Sequence, residues 1–133
     1  MIRLLILLGV LMNLGCTSLP PRICAADQKA SVSDLIFFGA DTPDGPVKAD
    51  AWAAFLRDVV TPRFPAGLTT WDAAGQWRSA DGALVRESSH VLNLVHPGDA
   101  SSENSVRTII DAYKTRHRQE AVLRVKATAC VSF

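Results

Sequence analysis

The chain has almost no excess charge: its 133 residues carry 14 lysines and arginines against 13 aspartates and glutamates. Without a basic surplus there is no bulk attraction to a phosphate backbone, so nucleic acid is not an expected partner. Long apolar runs are missing too. The run from Leu4 to Met12 is about half of the roughly twenty residues that a membrane-spanning helix needs. Histidine is scarce, and His90, His96 and His117 lack metal-ligand spacing. His90 and His96 share a strand face but sit six residues apart, too far to meet at one ion along an extended chain. No metal and no cofactor is therefore expected. Ser88 and Ser89 adjoin His90, yet successive side chains of a strand point to opposite faces, so the three make no nucleophile and base. The two serines read as solvated strand residues, and Asn93 reads as a hydrogen-bonded amide on an otherwise apolar face.

What is present begins at the N-terminus. One positive charge at Arg3, the apolar run and then Leu14-Gly15-Cys16 have the organisation of an export signal. The segment resembles a bacterial lipoprotein signal, in which the cysteine thiol takes a diacylglyceryl group before cleavage, here at Cys16. Asn13 departs from the leucine usual in that pattern, and Thr17-Ser18 lacks the aspartate associated with inner-membrane retention in enteric bacteria. The competing reading is ordinary cleavage after Ala26. The three cysteines bear on the choice. If Cys16 carries lipid, Cys24 and Cys130 remain as a possible pair, whereas cleavage after Ala26 would strand Cys130 as a lone thiol in an oxidising compartment. The expected organisation is a signal peptide over 1–15, a lipidated N-terminus and proline-bearing tether over 16–31, and one α+β domain over 32–133. The membrane is thus a partner through the N-terminal lipid.

Six elements are predicted in the body. Val32 to Gly39 reads as a buried strand and Lys48 to Val60 as a helix, with Trp52, Phe55, Leu56 and Val59 on one face and Pro62 as its stop. Two strands follow, Gly67 to Arg78 and Leu84 to His96, joined through Ser79-Ala80-Asp81-Gly82, with Ala73-Ala74-Gly75 suggesting a bulge. Ser101 to Arg118 reads as a second helix capped by Ser101 or Ser102, and Ala121 to Lys126 as a short last strand. Strand, helix, strand, strand, helix, strand is the ferredoxin-like split β-α-β order, a four-stranded antiparallel sheet with both helices on one face. That topology lays the last strand beside the first and brings Cys24 and Cys130 to the same end of the sheet, where a disulfide is natural.

Thr61-Pro62-Arg63-Phe64-Pro65-Ala66-Gly67-Leu68-Thr69, with Gly75-Gln76-Trp77-Arg78, Val85-Arg86-Glu87, Val95-His96-Pro97, Tyr113-Lys114 and Ala129-Cys130-Val131-Ser132-Phe133, resembles a family of small exported, lipoprotein-like bacterial proteins. That family is catalogued only as a domain of unknown function (family 3574 type). The resemblance covers Leu35 to the C-terminus and implies a location and a fold but no reaction. Trp71, Gln76, Trp77 and Arg78 form a candidate binding surface; the plainer reading puts at least one of these tryptophans in the core and makes Arg78 a hairpin cap. Phe37 with Phe38, Val91 with Leu92, and Leu94 with Val95 make the first and third strands apolar on both faces, while the helices cover only one. An uncovered apolar face marks an interaction site, with a homodimer as its leading occupant. The sequence thus suggests a non-catalytic envelope lipoprotein acting as a binding or assembly module. The alternative is a small ferredoxin-like enzyme that uses the uncovered face as a pocket.

Overall fold

Alternation of side chains shapes the central strand, β1 (Lys29–Gly39). Asp34, Ile36 and Phe38 point to one face and are fully buried, while Ser33, Leu35 and Phe37 point to the other and are half-buried. The computed structural model describes residues 24–79 and 81–133; the signal segment, Cys16, residues 17–23 of the tether, and Ala80 in the hairpin turn lie outside them. After β1 come a two-rung hairpin of β2 (Asp41–Thr42) and β3 (Gly45–Pro46), helix α1 (Ala49–Phe55), and a π-helical turn over Leu56–Val60. Then follow β4 (Thr69–Arg78), β5 (Leu84–His96), α2 (Ala100–His117) and β6 (Leu123–Val131). The main sheet has the order β4-β5-β1-β6 with every neighbour antiparallel. This is the ferredoxin-like α+β arrangement that the element order predicts.

Several local expectations need correction. No bulge interrupts β4: its register against β5 runs unbroken through Ala73↔Ser89, Ala74↔Ser88 and Gly75↔Glu87. A glycine in a strand supplies the freedom for a bulge without requiring one. The cap of α2 is Asp99, whose Oδ1 accepts a hydrogen bond from Ser102 N at 2.7 Å, so the predicted serine caps lie inside the helix. Strand β6 runs five residues past Lys126 to Val131, and β1 starts at Lys29, because each supplies the other with hydrogen-bond partners from Lys29↔Val131 onward. Ser89 is buried rather than solvated.

The core lies between the sheet and the helices and is built around Phe38. Its ring lies 4.5 Å from Tyr113, 5.5 Å from Trp52 and 5.9 Å from Phe55, centroid to centroid. The Tyr113 hydroxyl donates to the Gly39 carbonyl at 2.9 Å, and burial pushes its phenol up to about 12. Val106 and Ile109 on α2 and Val59 and Val60 on the π turn complete the layer. Cys24 and Cys130 form a disulfide that closes a separation of 106 residues at the end of the sheet where β1 starts and β6 finishes.

Candidate functional site

The sheet face turned away from the helices is the feature left uncovered among the described residues. Counting through the register, Trp71, Val91, Phe37 and Leu123 form one row across all four strands, each from a residue of odd parity that points away from the core. The next row is Thr69, Asn93, Leu35 and Val125, and the one after it holds Val95, Ser33 and Ala127. Val91 is fully buried even here, by its neighbours in the row, while Trp71 is 44% and Leu123 60% exposed. Ser33 Oγ donates to Asn93 Oδ1 at 3.1 Å, so the amide at the centre of this face is bonded, as its sequence context suggests. Arg124 and Lys126 of β6 fall on the other parity and point to the helix side, so these three rows carry no charged side chain.

The four residues of the sequence-derived surface separate. Trp71 and Trp77 share the uncovered face, since they are an even number of residues apart in a strand without a bulge, and neither is in the core. Gln76 and Arg78 point the opposite way. Gln76 joins Asp41, Arg86 and Glu87 around a shallow cleft of about 480 Å³, and Arg78 Nη1 donates to the Gly82 carbonyl at 2.8 Å, which closes the hairpin. Leu123 and Val125 were not singled out from the sequence. The signal for them is the alternation Leu123-Arg124-Val125-Lys126, which marks one apolar and one charged face.

Beyond Gly39, β1 no longer pairs with β5, but β4 and β5 continue together through Ala74↔Ser88, Gln76↔Arg86 and Arg78↔Leu84. A two-stranded arm therefore overruns the sheet, held at its root by Ala40 N donating to the Ser88 carbonyl at 2.8 Å. Its tip turns on Gly82, at φ +87°, with Ser79 and Asp81 hydrogen-bonded across it. Trp77 lies on the arm and is 51% exposed.

The helix-side face carries the molecule's concentrated charge, which the sequence reading missed. Asp34 is fully buried; its carboxylate accepts from Arg124 Nε at 2.9 Å, Arg124 Nη2 at 2.7 Å and His96 Nε2 at 2.8 Å. The Gly98 N–H donates to His96 Nδ1 at 3.0 Å, which leaves the ring proton on Nε2, where it serves Asp34. Gly98, at φ +78°, allows that turn, and a Cβ there would stand 2.6 Å from Val32 Cγ2. Arg124 also reaches Glu103 at 2.7 Å and 2.9 Å, and Lys126 Nζ reaches the same carboxylate at 2.9 Å. Burial opposes ionisation of Asp34, but hydrogen bonds from Arg124 and His96 outweigh it and hold the carboxyl below its usual value. The Arg124 and Lys126 hydrogen bonds lower Glu103 as well, and Glu103 and Asp34 raise Arg124. Every charge is partnered, so the network braces α2 against β1 and β6.

A second polar cluster lies among the aromatics. Asp72 Oδ1 and His90 Nδ1 are 2.7 Å apart, and the His90 ring stacks on Trp52 at 4.7 Å with 7° between planes. His90 Nε2 and His117 Nε2 are both shut off from solvent and have no hydrogen-bond partner. Burial first, then Arg116 and His90, lower the His117 imidazole and keep it neutral. A base needs a reachable lone pair, and this dyad does not offer one to solvent. Among the described residues no group of three or more histidine, cysteine, aspartate or glutamate side chains is placed to hold a metal ion, and no helix is long and apolar enough to cross a membrane.

With this geometry in place, the family model for a protein of unknown function, DUF3574, matches residues 33–133. The chain belongs to the DUF3574 family. No curated protein matches it. Among solved structures, a phage SAM lyase in complex with S-methyl-5'-thioadenosine is similar at a TM-score of 0.56 and 16% identity, over 87% of this chain and 97% of the lyase. CutA from Synechococcus elongatus PCC7942 with a Bis-Tris molecule is similar at a TM-score of 0.53 and 11% identity, over 79% of this chain and 87% of CutA. At such identities these likenesses establish the fold of this DUF3574 chain, and function has to be argued from its own surface.

Proposed function

We propose that this DUF3574 protein is a lipid-anchored module of the bacterial envelope that binds and assembles, and that its uncovered sheet face pairs with a second copy. The observation that carries the reading is the apolar row Trp71–Val91–Phe37–Leu123, which crosses the whole sheet on the face that no helix covers among the described residues. Four strands about 4.8 Å apart and some eight rungs of about 3.3 Å give a face of roughly 500 Å². Two such faces bury about 1,000 Å², the threshold for a specific interface. A twofold axis parallel to the strands sets β4 of one copy over β6 of the other, so that Trp71 meets Leu123 at the same rung. Large side chains on one edge then face smaller ones on the other. The Cys24–Cys130 disulfide fits an oxidising compartment outside the cytoplasm, and the Leu14-Gly15-Cys16 segment supplies the anchor.

Sedimentation equilibrium of the processed protein in a detergent density-matched to the solvent tests the pairing. A monomer–dimer equilibrium that Leu123→Glu shifts toward monomer by tenfold or more is expected; a wild type that stays monomeric contradicts it. Intact mass of the same preparation tests the anchor: a chain that begins at a lipid-modified Cys16 is expected, and an unlipidated chain that begins at Asp27 overturns it.

A further inference from the structure

We infer that the arm formed by the outer halves of β4 and β5 is an intermolecular clasp: it reaches over the end of the partner's sheet and docks Trp77 against the partner's α2–β6 connection. The inference rests on the pairing proposed above and names the segment that makes it specific. Five rungs, Ala74↔Ser88 to Arg78↔Leu84, extend past the last pair that β1 makes at Gly39↔Ser89. Past its root, where Ser88 N donates to Asp41 Oδ2, the ribbon has neither a third strand nor a helix on it among the described residues and is marginal in water by itself, yet it displays Trp77 and Leu84, both about half exposed, on its two sides. Residues 74–78 are all exposed. Such a ribbon gains its missing layer from another molecule.

The pattern along β4 fits that use. Its outward positions read Trp71, Ala73, Gly75, Trp77, two aromatic walls with a floor of little side chain between them, and an added Cβ at Gly75 would meet nothing within 4 Å. With the twofold parallel to the strands, β4 and β5 lie over the partner's β6 and β1. The arm overruns both of those strands and so lies over the partner's α2–β6 connection, residues 119–122, while Leu123 of the partner stays at the rung of Trp71, six residues before Trp77. Area supports the same conclusion. The sheet faces alone reach only the lower threshold, whereas an arm about 17 Å long and 10 Å wide, docked twice, adds roughly 680 Å² and brings the total to about 1,700 Å², within the range of standard stable interfaces.

The test compares wild type, Trp77→Ser and Leu123→Glu as full processed chains by sedimentation equilibrium, with near-ultraviolet circular dichroism to show that the core is retained. If the clasp operates, Trp77→Ser weakens self-association at least tenfold with an unchanged core spectrum, and amide exchange over 74–78 and 84–88 slows at least tenfold between dilute and concentrated wild type. Wild type that dimerises equally well with Trp77→Ser, or whose arm amides exchange at one rate at all concentrations, overturns the clasp and leaves the face-to-face pairing standing. Wild type that never dimerises overturns both.

Discussion

Alanine in place of Asp34 is expected to cost about 3–5 kcal/mol of stability, the effect of removing one partner from a buried ion pair. The carboxylate is fully buried and accepts three hydrogen bonds, two from Arg124 and one from His96. Its loss leaves the Arg124 guanidinium, itself largely buried, with Glu103 alone, and leaves the His96 N–H without an acceptor. Urea unfolding of the single variant measures the loss. A double variant, Asp34→Leu with Arg124→Met, is expected to recover part of it, because packed apolar residues replace a buried pair at little or no cost while the His96 N–H stays without its acceptor. A loss below about 1 kcal/mol for Asp34→Ala would mean that the site is wet enough to solvate Arg124 without its partner. The same group sets an acid dependence. A carboxyl held low in the folded state contributes stability that is complete above its unfolded value near 4 and is lost as pH falls through the folded value. Wild type is expected to weaken below about pH 4, and Asp34→Ala to weaken less over the same range.

Removal of the disulfide is the second large effect. Cys24→Ser with Cys130→Ser is expected to lower stability by about 4–5 kcal/mol, since chain entropy assigns that magnitude to a closed loop of about a hundred residues. The separation here is 106 residues, and the bridge joins the first turn before β1 to β6. Reduction of wild type by dithiothreitol should shift the urea midpoint by the same amount as the double substitution. An unchanged midpoint would show that the β1–β6 ladder holds this end of the sheet by itself. In a domain of about 110 residues a term of this size is a large part of total stability, and that is a physical reason for the cysteine pair.

Much of this architecture is legible in the sequence because it rests on periodicity. The helical faces led by Trp52 and Val106, the β5 boundaries at Leu84 and His96, and the adjacency of Cys24 and Cys130 all follow from spacing and topology. The Asp34 network does not. Nothing in the sequence around Asp34, inside the predicted strand Val32 to Gly39, points to its partners; only the register places Arg124 beside Ile36 and His96 beside Val32. Such pairings are set by tertiary contacts, about 60 and 90 residues apart along the chain, that local patterning does not encode. The shared face of Trp71 and Trp77 was hidden for a smaller reason. Parity in a strand survives only without a bulge, and Gly75 suggests a bulge that the unbroken β4–β5 ladder excludes. The arm was invisible because it depends on where β1 stops pairing.

Acrylamide quenching of tryptophan fluorescence across a concentration series shows whether the uncovered face is an interface between copies. Trp52 is buried in the core whatever the assembly state, whereas Trp71 and Trp77 are open in a single copy. Two quenchable tryptophans are expected in dilute solution, with a loss of quenching and a blue shift of emission as concentration rises, abolished by Leu123→Glu. Quenching and emission that stay constant from dilute to concentrated protein would contradict it.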